Sequence, residues 1–76
     1  MFKKEQTLSL FKDIGREDIK GLETNLISDG VLDSVDYLAL IDAIESKFGA
    51  IPPEMIAIDN FESVESITAL INKAFY

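Results

Sequence analysis

The sequence contains no cysteine and no histidine, and it has only 7 basic residues against 14 acidic ones. Without cysteine the chain can form neither a disulfide nor a thiolate metal site. Histidine is the most frequent general base and metal ligand in proteins, and cysteine is the most reactive nucleophile, so neither role can be filled in the usual way. Carboxylates could still form an acid–base pair, but 76 residues leave little room for a substrate cleft. We therefore expect a non-catalytic protein rather than an enzyme.

Long apolar segments are also missing. No run approaches the roughly 18 apolar residues of a membrane helix. The opening MFKKEQ has no apolar stretch behind it, so no signal peptide is expected. A hydrophobic content of 47% is typical of a folded chain. We expect one domain over residues 1–76, cytoplasmic, monomeric and without membrane insertion.

The negative charge is concentrated in one part of the chain. Residues 1–28 hold five acidic and five basic residues, whereas residues 29–65 hold nine acidic residues and only Lys47 as a base. Such a segment repels nucleic acid, whose binding proteins are basic, and attracts basic protein surfaces. The same acidity is also consistent with a role in solubility alone.

Hydrophobic spacing predicts an all-α protein, a small bundle of three main helices and one short one. The first helix is predicted from about Phe2 to Ile14, followed by Gly15 as its C-terminal cap. A long loop over 16–32 comes next, and we expect its apolar residues to cover the helices: Ile19, Leu22, Leu26 and Ile27. A short helical turn is predicted within 53–61, and a last helix after Ser63.

The second helix has the clearest pattern. Asp33 is a good N-cap residue and Asp36 occupies the acidic position of a capping box, so Ser34 becomes the first helical residue. One side of the helix forms an apolar stripe, made of Tyr37, Leu40, Ile41, Ile44 and Phe48. Gly49 and the prolines after it end the helix. A second face beside Ser34 holds Val35, Leu38, Ala39 and Asp42, which suits either a docking surface or coverage by the long loop.

The stretch GVLDSVDYLALIDAIESKFG, residues 30–49, resembles the central helix of the acyl carrier protein family and of its peptidyl and D-alanyl carrier relatives. The resemblance extends to the chain length, the long loop before Asp-Ser, the KFG ending, the proline after it and the final helix that starts at a serine. It implies a four-helix bundle in which a phosphopantetheinyl transferase esterifies Ser34, the serine after Asp33, with 4'-phosphopantetheine. The reactive thiol would then belong to the cofactor, which explains why neither cysteine nor histidine is needed.

The resemblance also implies partner and cargo sites. The expected partners are the transferase and acyl or aminoacyl ligases or synthases with basic docking patches. The docking residues would be Val35, Asp36, Leu38, Ala39, Asp42 and Glu45. The acyl chain would lie among Leu38, Ile41, Ile56, Ile58 and Phe61, each of which also fits an ordinary core position.

Several residues depart from the fatty-acid carrier pattern. Val35 stands where leucine is usual, Ala39 where glutamate is frequent and Asp42 where methionine is frequent. Tyr37 replaces a small polar residue. These changes indicate a specialised carrier of thioester intermediates, in lipid, polyketide or secondary metabolism, with its own ligase or synthase.

Two other interpretations remain at this point. One is a helical interaction module of the same fold that is never modified, in which Ser34 only begins a helix. The other is a calcium-binding protein, suggested by SDGVLDSVD. The spacing of Asp29, Asp33 and Asp36 does not follow the alternating ligands of an EF-hand loop, and its glycine and glutamate positions do not match either. We therefore expect no metal site.

Overall fold

Three α-helices and two short 3-10 helices form the regular structure, and no strand is present. The computed structural model describes all 76 residues. The α-helices are α1 (Lys4–Asp13), α2 (Ser34–Phe48) and α3 (Val64–Phe75), and the 3-10 helices span Pro53–Met55 and Ile58–Phe61. The all-helical prediction is confirmed, with two 3-10 turns where one short turn was predicted.

Local signals place the ends of α2 and α3. The Ser66 backbone N–H donates to Ser63 Oγ at 3.0 Å, which caps the start of α3. Gly49 ends α2 with a φ of +117°, a backbone conformation that side chains with a Cβ rarely adopt. The start of α3 and the end of α2 therefore lie where their capping residues predict.

Helix α1 is shorter than predicted, since it begins at Lys4 rather than near Phe2 and ends at Asp13. The Phe2 N–H donates to Asn72 Oδ1 at 2.9 Å, and Asn72 Nδ2 donates to the Phe2 carbonyl at 3.0 Å. The Phe2 ring meets the Phe48 ring edge-on at 5.2 Å between centroids. Contacts with distant residues hold Phe2 outside the helix, which local spacing cannot reveal.

A single apolar core lies between the helices. Helix α1 packs against both α2 and α3, and α3 packs against the second 3-10 helix. The radius of gyration of 11.0 Å is close to the value of about 11 Å expected for a compact chain of this length. The buried apolar residues are Phe2, Leu10, Phe11, Ile19, Leu26, Leu32, Leu40, Ile44, Ile51, Phe61, Val64, Ile67, Leu70 and Ile71. None of the helices has both the length and the hydropathy that a membrane crossing requires.

The loop between α1 and α2 covers the core with only some of its apolar residues. Ile19 and Leu26 are buried and Ile27 is half-buried, as predicted. Leu22 is 91% exposed, so its predicted packing over the helices is wrong. The neighbouring Glu23 carboxylate accepts hydrogen bonds from the backbone N–H groups of Lys20 and Gly21, which turns the chain and leaves Leu22 at the tip.

Candidate functional site

Ser34 is the first residue of α2 and is exposed to solvent. Asp33 before it is the N-cap: its Oδ1 accepts the Asp36 backbone N–H at 2.9 Å. In return, Asp36 Oδ2 accepts the Asp33 N–H at 3.4 Å, which completes the capping box. The serine hydroxyl takes no part in this capping, because the two carboxylates perform it. Ser34 thus presents an exposed hydroxyl at the positive end of a helix.

Arg16, from the start of the long loop, contacts the same turn of α2. Its Nη1 donates to Asp36 Oδ2 at 2.5 Å and its Nη2 to the Val31 carbonyl at 2.8 Å. Nε and Nη2 also bind the two oxygens of Asp18, each at 3.0 Å. This hydrogen bonding with Asp18 raises the pKa of Arg16 further above its usual range and lowers the pKa of Asp18. Both ends of the loop are therefore tied to the first turn of α2.

Glu62 anchors the loop on its other side. Its Oε1 accepts the backbone N–H groups of Ile27 and Ser28 at 2.7 and 3.0 Å, and its Oε2 accepts the Ser28 hydroxyl. Its backbone carbonyl accepts the Leu26 N–H at 2.8 Å. The hydrogen bonds from Ser28 and then from Ile27 lower the pKa of the Glu62 carboxyl group. The chain leading to Ser34 is thus fixed to the end of the second 3-10 helix.

Some of the predicted docking residues are exposed, and others already accept hydrogen bonds within the chain. Val35 is 71% and Leu38 63% exposed, and Asp42 is exposed. Ala39 is half-buried. Asp36 is bonded to Arg16, as described, and Glu45 Oε2 accepts the Ile51 N–H at 2.9 Å. The freely accessible part of the face is therefore a small apolar patch beside an acid.

The predicted acyl-pocket residues are not gathered around a cavity. Phe61 is fully buried and its ring meets the Tyr37 ring edge-on at 5.1 Å. Ile56 and Ile58 are 37% and 51% exposed, and Ile41 is half-buried. A depression of about 330 Å³ lies elsewhere, and it is lined by Glu54, Met55, Asn60, Ser66, Ala69, Leu70 and Lys73. The place of an acyl chain stays a prediction.

The start of α2 has backbone N–H groups that are available to an anion. No group of three or more carboxylates is arranged to hold a metal ion, Asp29, Asp33 and Asp36 included. The N–H groups at the start of a helix have no intrahelical partners, and here side chains accept those of Asp33 and Asp36. Those of Ser34 and Val35 remain to face an anion attached to the serine. The residues present therefore fit a phosphopantetheine ester at Ser34.

Two residues that hold the chain around Ser34 were not predicted from the sequence. Arg16 and Glu62 were not singled out, because their partners lie 15 to 35 residues away along the chain. One signal was available: Arg16 is the only arginine among the seven basic residues. Arginine is the residue that binds carboxylates with two parallel hydrogen bonds, as it does here with Asp18.

Comparison with models of known protein families, with curated proteins and with solved structures found no match for this chain. What the site can do therefore has to come from its own residues and their geometry. Those residues are the exposed Ser34 at a capped helix start and the apolar and acidic face beside it.

Proposed function

We propose that this protein is a carrier whose Ser34 is esterified with 4'-phosphopantetheine. The observation that carries the proposal is the exposed Ser34 hydroxyl at the first position of α2, held by the Asp33–Asp36 capping box. It lies within residues 30–49, the stretch that resembles the central helix of acyl carrier proteins. In this proposal the fold is the four-helix bundle of that family, and the two 3-10 helices stand in place of its short helix.

The modification is a phosphoryl transfer from coenzyme A. The Ser34 oxygen forms a bond to the phosphorus that bears pantetheine, while the bond from that phosphorus to the adenosine 3',5'-bisphosphate portion breaks. The hydroxyl proton passes to a base of the phosphopantetheinyl transferase. The protein is thus a substrate of an enzyme rather than an enzyme itself. Once attached, the arm supplies the thiol that carries an acyl or aminoacyl group as a thioester.

The chain's own part is to present the arm and to bind partner enzymes. Val35, Leu38 and Asp42 form the exposed docking face, with Ala39 at its edge. Basic patches on a ligase or synthase complement the excess acid of residues 29–65. We assign Asp36 and Glu45 mainly to structure, since their carboxylates already accept hydrogen bonds. The unusual Val35 and Ala39 favour a specialised carrier with a dedicated partner.

The test is the intact mass of the purified protein after incubation with coenzyme A and a broad-specificity phosphopantetheinyl transferase. We expect a gain of one phosphopantetheine, which fragmentation assigns to Ser34. Ser34→Ala abolishes the gain and leaves the unfolding midpoint unchanged, because the Ser34 side chain is exposed and makes no capping bond. Ser46→Ala is the matched control, because Ser46 is an exposed serine on the same helix. This variant keeps Ser34 and should gain the same mass as the wild type.

A folded protein that gains no mass with this transferase or with a second, unrelated one contradicts the proposal. The unmodified interaction module would then be the better interpretation. Loss of helical signal in Ser34→Ala would also count against the proposal, since Ser34 would then be a structural residue.

A further inference from the structure

The backbone of Arg16 is fixed at the end of α1. Gly15 has a φ of +82° and its N–H donates to the Lys12 carbonyl at 3.0 Å, while the Arg16 N–H donates to the Phe11 carbonyl at 2.8 Å. These two hydrogen bonds are the Schellman arrangement that ends a helix. Phe11 is fully buried in the core. Arg16 therefore starts from a rigid position rather than from a free loop.

The Arg16 guanidinium joins three segments of the chain. It bonds Asp18 at the start of the loop, the Val31 carbonyl three residues before Ser34, and Asp36 in the first turn of α2. The Arg16 and Asp36 side chains are only 20% and 22% exposed to solvent. Water therefore screens this ion pair less than one on the open surface.

The Asp36 oxygen that Arg16 binds is the same one that accepts the Asp33 N–H. A chain of contacts thus runs from the end of α1 through Arg16, Asp36 and Asp33 to the residue before Ser34. A lysine cannot replace Arg16 here, because its single ammonium lacks the planar fork that serves two carboxylates and a carbonyl together.

We propose that Arg16 is a positioning residue for the modification of Ser34: it holds the junction of loop and helix in the one arrangement in which the serine oxygen reaches the reacting phosphorus. This inference rests on the proposed carrier function. Displacing a reacting group by about 1 Å can cost as much as about 100-fold in rate, so loss of this contact should appear in kcat. A residue that only stabilises the fold would lower the unfolding midpoint and leave kcat unchanged while the protein stays folded.

The experiment compares the wild type with Arg16→Gln, Arg16→Lys and Lys12→Gln. Lys12 is an exposed lysine in the last turn of α1, so Lys12→Gln removes the same charge without removing a hydrogen bond to the loop. The kcat and KM of modification by the transferase with coenzyme A are measured by mass spectrometry, below the unfolding midpoint of every variant. Amide hydrogen exchange is followed in the unmodified proteins, at Leu32 and Asp36 near the site and at Ile71 in the core.

We expect kcat to fall at least about tenfold in Arg16→Gln and by a similar factor in Arg16→Lys, with little change in Lys12→Gln. The Leu32 and Asp36 amides should exchange faster in both Arg16 variants, whereas Ile71 should not. Full recovery of kcat in Arg16→Lys would overturn the proposal, because charge rather than geometry would then be what matters. So would a kcat in Arg16→Gln equal to that of the wild type.

The exchange measurement separates this inference from the carrier function. If the wild type is never modified, the carrier function has failed, and a positioning role in modification fails with it. If the wild type is modified but exchange at Leu32 and Asp36 is unchanged in Arg16→Gln, only the positioning role is overturned. If exchange increases and kcat falls together, both are supported.

Discussion

At the scale of single residues, three side chains at the first turn of α2 differ in the hydrogen bonds that they make. Asp33 caps the helix, Asp36 completes the capping box and pairs with Arg16, and Ser34 makes no capping hydrogen bond. The proposed attachment residue is therefore distinct from the groups that cap the helix. A substitution at Asp33 or Asp36 should lower stability and, on the positioning proposal, also slow modification, whereas one at Ser34 should act on modification alone.

Asp33→Ala should lower the free energy of unfolding by about 1 kcal/mol, because the Asp36 N–H loses its side-chain acceptor. For a chain of this size that corresponds to about 4–8 °C in the thermal midpoint. Asp33→Asn is the control, since asparagine caps helices about as well as aspartate. Denaturant unfolding of the two variants checks this, and an equal loss in both would show that the charge, not the cap, is what stabilises.

At the scale of elements, the long loop is ordered by contacts at both of its sides rather than by helix or strand bonds. Arg16 joins its two ends, and Glu62 holds its middle through two backbone N–H groups and the Ser28 hydroxyl. The order of the middle of the loop therefore depends on the Glu62 carboxylate. Protonation of Glu62 should loosen it.

Glu62→Gln should lower the urea midpoint at pH 7, and the difference from the wild type should shrink as the pH falls. The pKa of Glu62 is lowered in the folded state below its ordinary value of 4.5. A lowered carboxyl pKa contributes stability that is present above the unfolded-state pKa and is lost as the pH falls through the folded-state value. The wild type should thus approach the variant below pH 4.5, and urea titrations at neutral and acidic pH measure it.

Glu65→Gln is the matched control for Glu62→Gln. Glu65 is exposed and its only ion pair, with Lys4, is 3.8 Å long, so its removal should change the midpoint little at any pH. A difference between Glu62→Gln and the wild type that stays constant down to low pH would contradict the role given to the Glu62 charge.

The elements also show what the sequence can predict here and what it cannot. The bounds of α2 follow from Asp33 and Gly49, which act within a few residues of themselves, and the placement of Ser34 follows with them. The start of α1 does not, because Phe2 is bound by Asn72 from the far end of the chain. Local sequence patterns also fail to predict the hydrogen bonds of Arg16 and Glu62 around the site and the exposure of Leu22. Short-range chemistry predicts where Ser34 lies on α2, and only the folded chain shows which distant residues hold that turn in place.

At the scale of the whole molecule, a net charge of −7 is combined with a small exposed apolar patch on α2. Val35 and Leu38 are exposed apolar residues, and Asp42, one helical turn after Leu38, is an exposed acid on the same helix. Charges at the rim of an interface change association rates and salt dependence more than they change final affinity. The effect of the negative charge should therefore be measured as an association rate at low salt concentration.

Asp42→Lys should slow association with the transferase by about three- to tenfold at low ionic strength, and added salt should remove most of the difference. The substitution changes the net charge by two units, from −7 to −5. Asp13→Lys, at the exposed end of α1, makes the same change in net charge on a different helix. The quantity to measure is kcat/KM for modification as a function of salt. Glu45 is a poorer choice, because its reversal would also remove the acceptor of the Ile51 N–H and destabilise the fold.

The two reversals together distinguish a local docking face from a general attraction. If only Asp42→Lys slows modification, the partner meets α2 beside Ser34 and reads the charge at that place. If Asp13→Lys slows it equally, the whole negative field does the steering, and Asp42 has no special part in docking. In that case Val35 and Leu38 would have to supply the specificity by themselves, because a field that acts from every side raises the rate of encounter without selecting an orientation.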